Sequence, residues 1–424
     1  MNTAFYLSLA IFVVTYAIII SEKIHRTVIA LAGAVLMIAL GILSQEQAIE
    51  AIDFNTLGLL IGMMVVVSIA KQSGMFQYVA IWASKISRGK PLIIFCLLSF
   101  ITALFSAFLD NVTTVLLIIP VTFVIANQLK IHPKPFLIAA ILLANIGGVA
   151  TLIGDPPNIM IGSASGLGFN AFLFNLGPIS LIVAIVTIGL LLLTYRKKLI
   201  TSPEARAAIM KFDPKEAITD KKLLIKSLVV LGVVIVGFFI HGTLHLEGAT
   251  IALFGAALML LLTMHDPEHS LREVEWTTIF FFTGLFILVG GLEEVGVIHK
   301  IADLFVATIH NNPVSGTIGL LWMSAIVSAV IDNIPFVATM IPIIQNIGQM
   351  SSLPLTPLWW ALALGADIGG NATLIGASAN VIVAGMAAKE DKKIGFFEYL
   401  KIAVPMTLVA LILCTVYMYF RYLV

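Results

Sequence analysis

Apolar segments follow one another along almost the whole chain, and short polar or charged stretches separate them. Most segments are close to the length that crosses a bilayer, about 20 residues. The pattern predicts about ten spanning helices, near residues 4–20, 27–43, 55–71, 134–153, 177–195, 227–241, 248–264, 277–293, 358–376 and 400–420. Two longer apolar stretches, 91–127 and 314–346, are each interrupted by an Asp-Asn pair. We therefore expect an all-α polytopic membrane protein.

The interruptions recur at a constant offset, since Asp110 returns as Asp332, 222 residues later. At the same offset, segment 145–154 returns as 367–376. The repeated residues are polar or helix-breaking, and matched breaks in two halves of a transporter indicate its binding site. The predicted divisions are a first repeat at 1–195, a charged cytoplasmic linker at 196–226 and a second repeat at 227–424.

The distribution of basic residues predicts the orientation. With the N-terminus outside, 22 of the 24 lysines and arginines lie in cytoplasmic loops, as the positive-inside rule requires. Five spans per repeat is an odd number, so the two repeats are expected to be inverted. We predict a multi-pass protein of the plasma (inner) membrane with both termini outside. The two broken stretches are interpreted as re-entrant hairpins entering from opposite faces, with a pair of kinked double crossings as the alternative.

Composition excludes several classes of protein. Hydrophobic residues make up 60% of the chain and charged residues 11%, against roughly 25% charged in soluble domains. The net charge of +1 and the lack of a basic arm give no indication of a nucleic-acid partner. The two cysteines and the histidines have no metal-ligand spacing, and no nucleotide-binding loop is present. We therefore expect no cofactor, no metal and no enzymatic activity.

Four acidic residues fall at membrane depth: Asp110, Asp155, Asp332 and Asp367. A carboxylate at that depth costs at least about 2.5–3.5 kcal/mol on insertion scales. No lysine or arginine accompanies them within a span, so they are expected to need a proton, a cation or dense hydrogen bonding. The alternative is that each carboxylate caps a broken helix by accepting backbone amides.

Amides, hydroxyls and glycines surround the four acids, as expected for a site that binds a small polar solute. The candidate binding residues besides the acids are Asn111, Thr113, Asn145, Thr151, Asn158, Asn333, Asn371, Thr373, Ser378 and Asn380, with close backbone approach at Gly147, Gly148, Gly369 and Gly370. The glycines allow backbone to approach a ligand or a neighbouring helix. The repeats differ at polar positions, since Asn145 corresponds to Asp367 and Asp155 to Ala377. We therefore hypothesise an asymmetric site, with one half contributing more to substrate binding and the other to coupling.

These motifs resemble the ion transporter superfamily, in particular the branch of ArsB-type arsenite permeases and the P protein, with D-type sodium/proton antiporters nearby. The resemblance covers nearly the whole chain apart from the linker. It is carried by Asp-Asn at 110–111 and 332–333, by 145–158 and by 369–380. It implies inverted repeats, re-entrant hairpins, broken helices and secondary transport, with arsenite or antimonite extrusion as one activity of the family. The Ser-Asn-Thr motif of the family's dicarboxylate carriers is replaced here by Asp-Asn, which argues against a dicarboxylate.

The residues favour a neutral hydroxylated solute or a cation over a multivalent anion. Arsenite or antimonite efflux coupled to protons or another ion is the first interpretation. Sodium/proton exchange, or transport of another inorganic ion by a member of the same superfamily, is the second. A channel and an intramembrane aspartyl protease are weaker alternatives. The expected partners are the lipid bilayer, the solute and a coupling proton or sodium; a homodimer and an accessory ATPase are left open.

Overall fold

A computed structural model describes residues 3–21, 23–309, 312–351 and 353–424 of the chain. Every regular element within those ranges is helical, and no strand occurs in them. Eight of the described helices are long and apolar enough to cross a bilayer, and four further apolar helices are shorter. The predicted all-helical membrane fold is therefore confirmed.

The helices before the linker include one pair that meets at the first Asp-Asn break and another pair that flanks the break after residue 148. They are α1 (Thr3–Ser21), α2 (Arg26–Ala39), α3 (Gln45–Glu50), α4 (Phe54–Gln72), α5 (Met75–Ile86), α6 (Pro91–Phe108), α7 (Asn111–Gln128), α8 (Lys134–Gly148), α9 (Pro156–Ser165), α10 (Phe169–Asn175) and α11 (Gly177–Tyr195).

The remaining elements are a short helix and a 3₁₀ turn of the linker, followed by helices that repeat the order of the first half at offsets close to 222 residues. They are α12 (Pro203–Met210), a 3₁₀ turn (Pro214–Ala217), α13 (Lys221–Ile240), α14 (Gly248–Thr263), α15 (Pro267–Arg272), α16 (Trp276–Glu294), α17 (Val297–Ile309), α18 (Pro313–Ser328), α19 (Asn333–Met350), α20 (Leu355–Gly370), α21 (Ser378–Lys389), α22 (Phe396–Met418) and a π-helical turn (Tyr419–Leu423). One difference is that α22 is a single helix where the first half has α10 and α11.

Helix contacts are repeated with the two halves exchanged. Helix α4 packs on α14 while α16 packs on α2, and α7 contacts α21 while α19 contacts α9. Within each half, α6 packs on α8 and α18 packs on α20. The two halves are therefore interleaved, and each broken helix lies against both its own hairpin and elements of the other half.

Helix α4 connects two opposite faces of the molecule. At its last residue the Gln72 carbonyl accepts a hydrogen bond from the linker residue Thr219, so we call this side the linker face. Before its first residue Asp53 accepts a hydrogen bond from Ser163 at 3.0 Å, on what we call the opposite face. Nineteen helical residues separate the two faces by about 28 Å at 1.5 Å per residue.

The two hairpins begin at different faces. At the linker face, Gly89 lies against the backbone of Arg206, and the Leu129 carbonyl accepts a hydrogen bond from Thr201. In the second hairpin, Gln345 donates to the Ala164 carbonyl at 3.2 Å, next to Ser163 on the opposite face. The inverted orientation of the repeats stays a prediction, and so does the choice between re-entrant hairpins and kinked double crossings. Both Asp-Asn tips contact the helix breaks, and the second tip also reaches Arg26 at the start of α2.

Docking of the linker on α5 depends on a glycine, which gives a stability prediction. Gly74 has φ +79°, and a Cβ there would overlap the Ala217 carbonyl group, 2.8 Å from its carbon. Gly41 has φ +71°, but nothing lies within 4 Å of the place that a Cβ would occupy there. We expect Gly74→Ala to destabilise the protein by about 1–3 kcal/mol more than Gly41→Ala, because backbone strain is common to both and overlap with the linker is not. Thermal unfolding in detergent and protease cleavage of the linker measure the difference; equal losses would contradict this account of linker docking.

Candidate functional site

Two helix breaks lie at the centre of the site, and asparagine amides satisfy their free carbonyl groups. Asn158 donates to the carbonyls of Gly148 and Thr151 at 3.2 and 2.9 Å. Asn380 makes the same bonds in the second half, to Gly370 and Thr373, both at 2.8 Å. Backbone carbonyls released from a helix at membrane depth need such partners. These two asparagines therefore stabilise the breaks.

Each hairpin tip is fixed to its own broken helix by hydroxyl groups. Ser106 donates to the Ala144 carbonyl and Ser328 to the Ala366 carbonyl, both at 2.6 Å. The predicted residues Thr151 and Thr373 likewise donate to carbonyls of the hairpin tips, at Ala107 and Ala329. Both predicted threonines therefore bond to backbone.

The glycine pairs make tight backbone contacts, which is one of the two roles that the sequence left open. A Cβ at Gly147 would lie 2.7 Å from the Ala103 carbonyl carbon on α6, and one at Gly369 would lie 2.8 Å from that of Ala325 on α18. Gly148 and Gly370 instead face carbonyls of their own breaks, at Gly154 and Gly376. All four glycines thus allow the broken helices to lie close to neighbouring backbone.

Asp110 and Asp332 cap the helices that follow them. Asp110 accepts the amide of Thr113 at 2.8 Å and the hydroxyl of the same residue. Asp332 accepts the amide of Ile334 at 3.2 Å. The capping alternative is therefore realised at both tips. Both oxygens of Asp110 accept from Thr113, whereas the second oxygen of Asp332 accepts from Ser378.

A buried network joins the hairpin tips to both broken helices. Asn111 donates to Asn145 at 3.0 Å and to Asp155 at 2.6 Å. In the second half, Asn333 donates to Asp367 at 3.1 Å and reaches across to Asp155 at 3.4 Å. Residues that are far apart in the sequence, from both repeats, therefore meet at Asp155.

Asn145 extends this network to the second break. Its Nδ2 donates to the Oδ1 atoms of Asn371 and Asn380, both at 2.9 Å. Asn371 donates to the Leu142 carbonyl. Asn145, Asn371 and Asn380 are all at most 2% exposed, so this part of the predicted site is a closed amide network rather than a free surface for solute.

The expectation that no basic residue accompanies the acids is wrong. Arg26, at the start of α2, forms an ion pair with Asp332 at 2.9 Å and donates to Ser378 at 2.7 Å. Its guanidinium also lies over the ring of Phe281, 4.9 Å from the centroid. In the sequence Arg26 follows a short polar loop and looks like an ordinary residue of a cytoplasmic loop. The fold brings it inward because the tip of the second hairpin reaches the start of α2.

Two adjacent cavities lie beside this ion pair. The inner cavity measures about 50 Å³ and lies between the two hairpin tips, with ionisable lining groups at Arg26, Asp110, Asp155 and Glu275. The outer cavity measures about 280 Å³ and is lined by the end of α1 and the start of α2 on the linker face. Arg26, Asp332 and Ser378 form the boundary, since Arg26 and Ser378 line both cavities and are bonded to Asp332.

Glu275 is a second lining residue that the sequence did not single out. It precedes α16, and its side chain accepts the Thr278 hydroxyl at 3.1 Å. Burial raises the pKa of Glu275, and the nearby Asp110 carboxylate raises it further, against the effect of Thr278. Its counterpart at the 222-residue offset is Asp53, the cap of α4. This matched pair of acids before two spans is the sequence feature that could have indicated Glu275.

Among the residues that the structure describes, no group of three or more His, Cys, Asp or Glu side chains has the arrangement of a metal site. What the geometry offers is a small, mainly apolar cavity into which three carboxyl groups, two amides, two hydroxyls and one paired guanidinium also face. Such a cavity can bind a small hydrogen-bonding solute and can exchange protons with it.

Comparison with known proteins relates this geometry to a family. Residues 16–365 match the family model described as citrate transporter (CitMHS). The chain is 42% identical over 426 residues to an uncharacterized transporter of Mycobacterium tuberculosis, with 99% of each chain covered. It is 35% identical over 493 residues to the mouse P protein, covering 96% of this chain and 59% of the mouse protein. The solved structure of the YdaH transporter from Alcanivorax borkumensis has the same fold, with a TM-score of 0.61 at 15% identity and 98% of both chains covered. The predicted likeness to the ion transporter superfamily and its P-protein branch is confirmed.

Proposed function

The chain belongs to the citrate transporter family of the ion transporter superfamily and is a multi-pass membrane transporter, and we propose that it exports arsenite or antimonite in exchange for protons. The proposal rests above all on the inner cavity between the two hairpin tips. In this proposal the protein lies in the plasma membrane with the linker face cytoplasmic. The outer cavity then opens toward the cytoplasm, as an exporter ready to take up its substrate requires.

The size of the inner cavity supports a small inorganic solute. A cavity needs about 10–15 Å³ to hold one water, so 50 Å³ holds a few atoms of the size of oxygen. Uncharged arsenite, with about four heavy atoms, matches this space, whereas a tricarboxylate has roughly three times as many. Citrate, the substrate in the family's name, therefore does not fit the inner cavity in this conformation.

The charge of the cavity supports the same class of solute. Arg26 is the basic group that the inner cavity offers, and its charge is already paired with Asp332. Asp110, Asp155 and Glu275 line the same space. A multivalent anion would meet these carboxyl groups at close range, which is unfavourable at low dielectric. A neutral tris-hydroxide instead finds acceptors for its hydroxyl protons.

Sodium/proton exchange is the second candidate function, favoured by the three carboxyl groups that line the inner cavity. Carboxylate oxygens are ligands that hard cations prefer. In either function an ion gradient supplies the energy, and neither a dimer partner nor an accessory ATPase is required by the proposed exchange.

Flux measurements in vesicles that contain the purified chain test the proposal. We expect arsenite to accumulate in vesicles whose protein has the linker face outside when the lumen is more acidic than the medium. Sodium and citrate should give no flux above that of protein-free vesicles. Asp110→Asn is expected to lower the arsenite flux at least tenfold, because Asp110 lines the inner cavity. Asp303→Asn, whose side chain is 58% exposed on α17, is the matched control. Movement of sodium without arsenite would replace the first function by the second, and movement of citrate alone would overturn both.

A further inference from the structure

One hydrogen bond of the buried network is formed from the first repeat to the second, and its counterpart from the second repeat to the first is not. Asn145 on α8 donates to Asn380 on α21 at 2.9 Å. At the 222-residue offset Asn145 corresponds to Asp367, and Asn380 corresponds to Asn158. Helix α20 contacts α9 as α8 contacts α21. With the roles of the two repeats exchanged, the equivalent bond would therefore join Asp367 on α20 to Asn158 on α9.

That equivalent bond is missing, and the two oxygen atoms that it would join have no hydrogen-bond partner in the described part of the chain. Asp367 Oδ2 and Asn158 Oδ1 are each buried without a hydrogen-bond partner in the described part of the chain. Both residues are fully buried. Leaving a buried polar atom unsatisfied costs about 1–3 kcal/mol, so two such atoms at related positions need a physical explanation.

Rotating the side-chain amide of Asn158 by 180° would not give its oxygen atom a donor. Its Nδ2 is held by the backbone carbonyls of Gly148 and Thr151, which are acceptors only. Its Oδ1 must therefore face away from them, as the Oδ1 of Asn380 does when it accepts from Asn145. A donor is required opposite this oxygen, and Asn145 supplies one in the other repeat while an ionised Asp367 does not.

We propose that the coupling proton binds to Asp367 Oδ2 and that the resulting O–H donates a hydrogen bond to Asn158 Oδ1, which completes the missing bond between the two repeats. The inference rests on the proposed proton-coupled transport and assigns the coupling site within it. One proton satisfies both unpartnered oxygens. When the proton leaves, Asp367 becomes a carboxylate, the bond to Asn158 is lost, and α20 and α9 are no longer joined at this point.

The surrounding groups suit a proton better than sodium. Asn333 and Asn111 present amide N–H groups to the carboxylates, at Asp367 Oδ1 and Asp155 Oδ2. These donors occupy the space where a metal ion would need oxygen ligands. The orientation of the Asn111 amide follows from its neighbour. Asn145 uses its Nδ2 as a donor to Asn371, so its Oδ1 must accept a hydrogen bond from the Nδ2 of Asn111.

The ionisable groups around Asp367 are few. Asp155 faces it through the Asn333 amide, and Asp110 and the Arg26–Asp332 pair lie farther along the hairpin tips. The other ionisable groups lie on α8 and α22, two helices that pack against α20. They are Lys134, paired with Glu398; Tyr399, which donates to the Asn371 carbonyl; Tyr417, which donates to the Asn175 carbonyl; and Lys401 and Cys414. Since Asn333 touches Asp367 and also Asp155, which lines the inner cavity, the state of the proton is transmitted to the substrate site.

Asp367→Asn separates the hydrogen bond from the proton. The new amide can donate to Asn158 as Asn145 does to Asn380, so the bond is kept without a group that ionises. In reconstituted vesicles we expect arsenite accumulation driven by a pH gradient to be lost, while arsenite exchange at equal pH is slower but measurable and no longer varies with pH. Asp303→Asn should behave as the unmodified chain. Accumulation by Asp367→Asn under a pH gradient would overturn the proposal, and accumulation by the unmodified chain that follows a sodium gradient instead would overturn the choice of proton.

A spectroscopic measurement does not depend on the substrate. Infrared spectra of the purified chain should show the carbonyl stretch of a protonated carboxylic acid that disappears in Asp367→Asn and persists in Asp303→Asn. A band that is absent from the unmodified chain at neutral pH, or unchanged in Asp367→Asn, would contradict the proton site even if arsenite is transported. Failure of arsenite flux with the band present would instead contradict the proposed function alone.

Discussion

Replacing Arg26 by glutamine is expected to lower transport about 10- to 100-fold, the largest loss from any single site that the sequence did not indicate. Removing one partner of a buried ion pair costs about 3–5 kcal/mol, and the partial exposure of this pair, 30% for Arg26 and 16% for Asp332, reduces that to about 1–3 kcal/mol. Glutamine keeps a donor for Ser378 but leaves the Asp332 charge unpaired at the boundary between the two cavities. Initial rates of arsenite exchange measure the effect.

A double-mutant cycle identifies the cause of this loss. If the unpaired Asp332 carboxylate is responsible, Arg26→Gln combined with Asp332→Asn should be more stable and more active than Arg26→Gln alone. Arg272→Gln is the matched control, because Arg272 pairs with Glu268 at 2.7 Å on the surface, where the two side chains are 76% and 74% exposed. Exposed pairs contribute about 0–1 kcal/mol, so this variant should retain its transport. Equal effects of the two arginine substitutions would refute the role of Arg26 at the cavity boundary.

The second large effect is expected from Gly147→Ala, which should destabilise the protein by about 3 kcal/mol or more. The added methyl would overlap the Ala103 carbonyl group on α6, and overpacking in well-packed regions typically costs about 1–3 kcal/mol even where side chains can move. Here the obstructing atoms are backbone atoms, so α8 and the first hairpin must separate. Because the same hairpin carries Asn111 to Asp155, transport should fall together with stability.

Matched glycines make this prediction specific. Gly369→Ala should have a similar effect, since its methyl would overlap the Ala325 backbone on α18. Gly189→Ala, on α11, is the control, because nothing lies within 4 Å of a methyl group there. Thermal unfolding of the purified variants in detergent measures all three. A Gly147→Ala protein as stable as Gly189→Ala would show that the hairpin and the broken helix are not in close contact.

The asymmetry of the site follows from a few substitutions between the repeats. Asn145 closes its part of the network with amide donors, whereas Asp367 at the equivalent position leaves an acceptor unpaired. Ser378 takes part in the Arg26–Asp332 contact, while the equivalent Pro156 has no hydroxyl group. The hypothesis that the two halves divide substrate binding and coupling therefore stays a prediction, now with Asp367 proposed on the coupling side.

The sequence by itself determined the membrane class, the duplicated order of elements and the position of the breaks. These properties depend on local composition: apolar runs of spanning length, and Gly, Pro, Asp and Asn where a helix cannot continue without polar partners. The residues around Asp110, Asp155, Asp332 and Asp367 were indicated for the same reason, since a charge within an apolar run is conspicuous in a linear pattern.

Only the tertiary structure decided which of these residues meet and which charged groups join them. Arg26 and Glu275 lie at the ends of predicted spans, where charged residues are ordinary, and nothing local distinguishes them from residues at the membrane surface. Arg26 reaches the cavity because the second hairpin brings Asp332 to the start of α2, a contact between residues 306 positions apart. Glu275 lines the same cavity from the start of α16. The unpartnered oxygens of Asn158 and Asp367 are likewise a property of packing, because whether a polar atom finds a partner depends on which helices lie beside it and not on the order of residues along the chain.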